Sequence, residues 1–347
     1  MTQEMMASES EACLYELLQD RTVRCGLCRH LCVIKPGRRG ICGVRENRRG
    51  TLFTLVYGRL IAQNIDPIEK KPLFHFHPGT LSYSVATVGC NFRCRFCQNA
   101  NIAQMPGDRD GMIMGDVYPP ESVVEAARRR GCKTIAYTYT EPTVYFEFAR
   151  DTARLAHEAG IANVFVTNGY MTAEALDAIH PDLDAANVDL KAFSDEFYKT
   201  QCGARRTPVM ETLKEMKRRG IFVEVTTLII PGLNDDPGEL ARLAGFLVEA
   251  VGPETPWHVS RFHPTYRLTD RPATPVETLV NARKIGRAEG LRYVYTGNVP
   301  GDDGESTYCY ECGVRVIHRT GFTVRENRVR DGRCPDCGAA IDGVGLP

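Results

Sequence analysis

The chain has 347 residues, enough for one large catalytic domain with small additions, and 43 Lys+Arg balance 43 Asp+Glu to a formal net charge of zero. That balance gives no sign of a polyanion partner and argues mildly against nucleic acid, although a local basic patch stays open. No apolar run approaches a membrane span and the N-terminus is acidic rather than a basic signal segment, so the expected location is cytoplasmic. Fourteen cysteines in that reducing setting point to metal rather than disulfides.

In chain order, the first feature is Cys25, Cys28, Cys32 and Cys42, with His30 among them. Four cysteines allow a closed zinc site or a second four-iron cluster, and His30 could replace one ligand. His75 and His77 in LFHFHPG alternate on a strand-like segment without carboxylate neighbours, which suits packing or a substrate wall better than metal binding. From about residue 80 to 300 short apolar runs alternate with amphipathic stretches. The runs at 82–88, 133–139, 163–167, 186–190, 221–230, 258–262 and 292–296 read as buried parallel strands. One helix starts at Pro120 and stops at Gly131. Another has Asp236 as N-cap, Pro237 next, and ends at Gly252. A third combines Thr274 as N-cap, Pro275 and Glu277 in a capping box and ends at Gly290. Repeated β-α units imply right-handed crossovers in an α/β fold. Six or seven of them fit a partial (β/α)6 barrel, with a flavodoxin-like open sheet as the alternative.

The chemistry sits at predicted strand ends, where a barrel gathers its site. Directly after the first strand, VGCNFRCRFCQN carries Cys90, Cys94 and Cys97. Electron-carrying clusters are closed by four cysteines and structural zinc by four ligands, so three thiolates on a four-iron cube leave one iron open to bind something else. A zinc site with a remote fourth ligand is the blander reading. Past later strands come Glu141, then Thr167 and Asn168, then Asp189 and Lys191, then His263 and finally Asn298. Cys202, near Arg205 and Arg206, is either a buried small residue or a substrate-facing hydrogen donor in an electropositive patch. Last come Cys309, Cys312, Cys334 and Cys337 in two Cys-x2-Cys knuckles, each followed by glycine, which is zinc-ribbon spacing. A rubredoxin-like iron site uses similar knuckles.

The cysteine loop, including Phe96 before its third cysteine, resembles the signature of the radical S-adenosylmethionine (SAM) superfamily. With KKPLFHF, YTYTEPTVYF, VTNGY, VDLKAF, PGLND and YTGNVPG it resembles the radical SAM member of the AmmeMemoRadiSam system, a relative of pyruvate formate-lyase activating enzyme. The resemblance implies a 4Fe-4S cluster on Cys90, Cys94 and Cys97 that reductively cleaves SAM to a 5′-deoxyadenosyl radical. It implies Glu141 at the end of the superfamily's Gly-Gly-Glu motif, receiving the SAM ammonium group, with Lys191 and His263 near the methionine carboxylate. Phe96, Thr167, Asn168 and Asn298 complete the expected cofactor-binding set. Tyr139 and Thr140 replace the two glycines, and Val166 stands where the activating enzyme has an aspartate. Implied partners are an electron donor such as ferredoxin or flavodoxin and Memo-like and AMMECR-like proteins. A glycyl-radical-type activase and a nucleic-acid-modifying radical enzyme are the alternatives. The expected organisation is a Cys-rich segment over 1–79, a radical SAM partial barrel over 80–300, and a metal-organised zinc-ribbon or rubredoxin-like module over 301–347, separable because so short a tail cannot fold by packing alone.

Overall fold

The computed structural model describes residues 10–299 and 301–347. Residues 1–9, which belong to the expected 1–79 segment and its acidic start, and Pro300 of YTGNVPG lie outside the described residues. Eight strands form the main sheet in sequential order: β1 (Ala62–Pro67), β2 (Leu81–Ala86), β3 (Thr134–Tyr137), β4 (Ala162–Thr167), β5 (Ala185–Asp189), β6 (Phe222–Ile229), β7 (Trp257–Arg261) and β8 (Val294–Gly297). From β2 to β8 every neighbouring pair is parallel, as the seven apolar runs predicted. Their composition explains this. All four residues of β3 are buried, and four of five in β5, so neither face can meet water. The sequence reading missed β1, an antiparallel edge strand whose burial is only partial. Among the described residues β1 and β8 are the sheet's two ends.

The principal helices between the parallel strands are α1 (Pro120–Arg129), α2 (Phe146–Glu158), α3 (Ala173–Ile179), α4 (Arg206–Arg218), α5 (Pro237–Ala250) and α6 (Val276–Ala288). The Asp236 cap of α5 forms, its carboxylate accepting from the Glu239 N–H at 2.8 Å. The expected capping box of α6 does not. Pro275 is its N-cap and makes no side-chain cap bond. The Thr274 hydroxyl instead donates to Ile229 O at 2.6 Å and accepts from Phe262 N at 3.0 Å, tying the ends of β6 and β7 together. A buried strand end offered it a better partner than the helix.

Residues 10–54 form two small three-stranded antiparallel sheets, and the tail forms a third from β9 (Thr307–Tyr308), β10 (Arg315–Thr320) and β11 (Thr323–Asn327). No disulfide joins any of the fourteen cysteines. No helix among the described residues is long and apolar enough to cross a membrane.

The tail does not stand apart. Arg319, buried on β10, faces the buried carboxylate of Glu69 at 3.5 Å, donates to Phe74 O at 2.7 Å and lies over the Phe74 ring. Val344 exchanges backbone bonds with His75 and His77, both 2.8 Å, and Asp342 accepts from Arg292 and Tyr293 beside β8. The tail has a small core of its own, with Val316, Ile317, Val329 and Ile341 beside Cys309 and Cys334, and these contacts also join it to residues 69–77. His75 serves that junction: its Nδ1 meets Asp342 O and its Nε2 meets Tyr295 OH, each at 2.5 Å. Burial pushes its pKa down to about 4, so it packs as neutral imidazole.

Candidate active site

At the C-terminal ends of the parallel strands lies a cavity of about 540 Å³. It brings together Cys90, Cys94, Cys97, Phe96, Glu141, Thr167, Asn168, Lys191 and Asn298, separated by up to 208 positions in sequence. Parallel pairing in consecutive order places every strand end on one edge, and that alone assembles the ring.

The cysteine loop leaves β2 through Gly89 at φ +100°, where a side chain would collide with Val44. Backbone bonds from Arg93 N to Cys202 O (2.8 Å) and Arg95 N to Gln201 O (2.9 Å) fix its middle. Among the described residues the three thiols are the only Cys or His side chains lining the cavity. Burial, then the charge of Glu141, pushes the Cys90 thiol well up, and burial raises Cys97 to about 11. Metal binding would displace those protons. Three thiols with no fourth Cys or His fit a cluster that keeps one iron open.

Glu141 is 2% exposed. Its Oε1 accepts from Thr143 N (3.1 Å), the Thr143 hydroxyl (2.5 Å) and the Thr167 hydroxyl (2.7 Å), and its Oε2 accepts from Asn168 N (2.8 Å). Burial raises its pKa, and these donors only partly offset the rise. Asn168 Nδ2 donates onward to Asn91 Oδ1 at 2.7 Å, beside Cys90. Where the superfamily motif has glycine, Tyr139 holds φ +61°, a left-handed backbone that costs a side chain on the order of 1–3 kcal/mol. Three contacts hold it there: Asn99 Nδ2 to Tyr139 O (2.8 Å), Tyr139 OH to Asp66 Oδ2 (2.5 Å), and Lys71 above its ring. Tyr139 thus holds a left-handed backbone that glycine would adopt freely.

Lys191 pairs with Asp189 at 2.6 Å and lies over the Phe96 ring. Burial works against its charge, but Asp189 and Cys94 outweigh burial and raise its pKa. Two further cations, Lys70 and Lys71, also form part of the cavity wall. Both bond to Asp66, at 2.8 and 2.6 Å. Burial would raise the Asp66 carboxyl, but bonds from Lys70, Lys71 and Tyr139 hold it well below the usual range. Burial brings Lys71 down to about 8 against the opposing pull of Asp66. Sequence reasoning missed this wall, although the adjacent lysines of KKPL were a usable signal. It also missed Ser260 and the tail residue Phe322, both of which line the cavity.

Two expected site residues lie elsewhere. His263 is exposed and outside the cavity lining, because the strand alternates and Ser260 takes the inward position. Cys202 is fully buried behind Cys94 and faces no substrate space. Its thiol donates to Cys94, which lowers the Cys94 pKa, while burial and Cys94 keep Cys202 protonated. Arg205 and Arg206 turn toward Tyr170 OH and Phe193 O, and the cation that acts on Cys202 is Lys191.

The tail holds a separate group. Cys309, Cys312, Cys334 and Cys337 bring their sulfurs within 4.8 Å of one another, with Cys309–Cys337 at 3.6 Å and Cys312–Cys334 at 3.7 Å. A tetrahedral ion with Zn–S near 2.3 Å needs sulfurs about 3.8 Å apart. The knuckles repeat one pattern: Gly313 N donates to Cys309 O and Gly338 N to Cys334 O, both 2.9 Å, with the glycines at φ +74° and +78°. Backbone N–H groups of Cys337 and Asp336 outweigh burial and lower Cys334 to about 7. Cys334→Ser together with Cys337→Ser should remove one zinc per chain, measured by metal analysis, and leave loop iron in place. Unchanged zinc would exclude the tetrad as its ligand set.

Residues 84–244 match the radical SAM superfamily model. An uncharacterized protein of Methanocaldococcus jannaschii is 50% identical over 334 residues, covering 96% of this chain and 98% of that protein. The pyruvate formate-lyase-activating enzyme of Clostridium pasteurianum is 24% identical over 165 residues, 46% of this chain and 66% of that enzyme. The structure of SuiB from Streptococcus suis bound to S-adenosylmethionine matches with TM-score 0.50 at 14% identity, covering 67% of this chain and 53% of that one, a likeness of fold.

Proposed function

This chain belongs to the radical SAM superfamily, and we propose from that premise that it cleaves SAM reductively and removes a hydrogen atom from a substrate held in the 540 Å³ cavity. The family carries a 4Fe-4S cluster and SAM, and its members need an electron donor, for which a ferredoxin or flavodoxin is suited. The observation that carries the reading is one cavity uniting three loop thiols, the hydrogen-bonded Glu141 and the Lys191–Asp189 pair. When bound on Cys90, Cys94 and Cys97, the cluster supplies the electron for breaking a carbon–sulfur bond of SAM.

The chain's own residues do the positioning. Glu141 receives the SAM ammonium group, held in place by Thr143, Thr167 and Asn168. Lys191 faces the methionine carboxylate, and Phe96 and Asn298 form the cavity wall. Cys202 is a positioning residue for Cys94. The sheet is a partial barrel around the site, and the tail tetrad is a zinc ribbon whose Phe322 reaches the cavity mouth. The motif series supports membership in the AmmeMemoRadiSam system, with Memo-like and AMMECR-like partners in the cytoplasm. Similarity to pyruvate formate-lyase-activating enzyme favours one second reading, an activase that places a glycyl radical on a partner protein.

Anaerobic reconstitution should put about four irons on the loop. Added SAM should perturb the electron paramagnetic resonance spectrum of the reduced protein, and 5′-deoxyadenosine should form under reduction. The triple variant Cys90→Ala, Cys94→Ala, Cys97→Ala should lose that response. If the variant still responds to SAM, the loop is not the site. Memo-like and AMMECR-like partners should raise turnover, whereas a glycyl radical signal on an added partner would select the activase reading.

A further inference from the structure

The N-terminal cysteines are brought to one place. Cys25, Cys28, Cys32 and Cys42 line a second cavity, whose wall also includes His30, Arg45 and Asn91. Backbone bonds set this segment against the active-site elements: Arg29 N donates to Tyr170 O at 2.9 Å and Thr172 N to Leu27 O at 3.2 Å, just past the Thr167–Asn168 turn. Gly89 packs so closely that a Cβ there would stand 3.1 Å from Cys42 O. Asn91, one residue beyond Cys90, belongs to both sites: its Oδ1 faces Asn168 and its residue lines the N-terminal cavity.

Two buried donors on that wall are unsatisfied. Asn91 is 1% exposed and Arg45 2%, and neither Asn91 Nδ2 nor Arg45 Nε has a hydrogen-bond partner. The other nitrogens of Arg45 are committed, one to Glu147 at 3.0 Å and one to Cys13 O at 2.7 Å. Unpaired buried donors are disfavoured, most of all on a charged group. An acceptor belongs in this cavity.

The thiol spacing indicates what kind. The tail tetrad closes to zinc dimensions, and among the described residues it is the only group of three or more Cys, His, Asp or Glu whose ligand atoms meet within 4.8 Å. No three of the N-terminal thiols meet within that distance, whereas one tetrahedral ion holds its sulfurs about 3.8 Å apart. Four thiols around a larger anionic core, with N–H donors aimed at its sulfurs, is the ligand set of a closed iron–sulfur cluster. We propose that Cys25, Cys28, Cys32 and Cys42 ligate a second, closed iron–sulfur cluster, with Arg45 and Asn91 donating hydrogen bonds to it.

The test uses the full chain carrying Cys90→Ala, Cys94→Ala and Cys97→Ala, reconstituted anaerobically and assayed for iron, acid-labile sulfide and zinc. Expected are iron and sulfide in roughly equal amounts, as in iron–sulfur clusters, and a reduced-state spectrum that SAM leaves unchanged. Adding Cys28→Ser and Cys42→Ser should remove both. A second zinc per chain, iron without sulfide, or no metal beyond the tail zinc would overturn the proposal. Should the variants fold poorly, the unmodified chain decides: it should show two cluster signals, one altered by SAM and one indifferent to it, and a single signal overturns the inference. Loss of SAM cleavage alone bears on the central loop and not on this site.

Discussion

Glu141→Gln should weaken binding of SAM by about 2–5 kcal/mol, roughly thirty- to several-thousand-fold, while leaving loop iron content unchanged. The carboxylate is buried and already satisfied by four donors, so its charge is what a bound ammonium group adds to and what glutamine removes. Glutamine keeps the shape and one acceptor oxygen, which separates loss of charge from collapse of the pocket. Glutamine with its oxygen in the Oε1 place keeps the Thr143 and Thr167 bonds and loses only that from Asn168 N, whereas Glu141→Ala would orphan all four donors. The affinity should also depend on pH. Burial raises the Glu141 pKa, so the free protein carries the protonated acid to higher pH than an exposed glutamate would. Binding should strengthen as pH rises through that pKa and the charge appears, and this dependence should vanish in Glu141→Gln. Equilibrium binding to anaerobically reconstituted protein across pH measures both. An unchanged dissociation constant in Glu141→Gln would take Glu141 out of the cosubstrate site.

What the sequence made legible followed local rules. The seven parallel strands were readable because strands buried on both faces must be apolar throughout, and α5 because Asp236-Pro237 has no better use than a cap. The ring of strand-end residues was readable because consecutive parallel strands force their C-terminal ends together. The failures come from competition by distant groups and from strand faces that local pattern does not fix. Thr274 has the sequence of a cap, yet Ile229 O and Phe262 N claim its hydroxyl. His263 follows the right strand, but alternation turns Ser260 inward instead. Strand β1 alternates weakly because one face is partly exposed, and its Asp66 matters through Lys71 and Tyr139, which no local pattern announces. Tyr139 breaks the glycine pattern in sequence, yet its backbone takes the left-handed region that glycine favours. The tail's attachment to the body was not legible either, because nothing local in a short cysteine-rich segment announces that Arg319 pairs with Glu69.

Arg319→Met should therefore destabilise the whole protein by about 3–5 kcal/mol, the cost of leaving one partner of a buried ion pair unpaired. Arg319 and Glu69 are separated by 250 positions and both side chains are fully buried, so their pairing is long-range and unscreened. Methionine preserves the stem packed on the Phe74 ring but removes the donors to Glu69, Thr307 and Phe74 O. Burial raises the folded-state pKa of Glu69 even with the arginine present, and losing Arg319 should raise it further. A carboxyl whose folded pKa exceeds its unfolded value contributes stability that is fully present below the unfolded pKa and is lost as pH rises through the folded one. The deficit of Arg319→Met relative to the unmodified chain should thus be smallest in acid and grow toward neutral pH. Glu69→Gln in the same chain should restore part of the loss at neutral pH, because it removes the orphaned charge while Gly79 N keeps an acceptor. Denaturant unfolding of the three chains at two pH values would check all three statements. If Arg319→Met unfolds at the same denaturant concentration as the unmodified chain, the tail is held by its metal alone and the separable-module reading stands. If Glu69→Gln worsens the defect, the destabilisation comes from lost hydrogen bonds to Thr307 and Phe74 and not from the unpaired carboxylate.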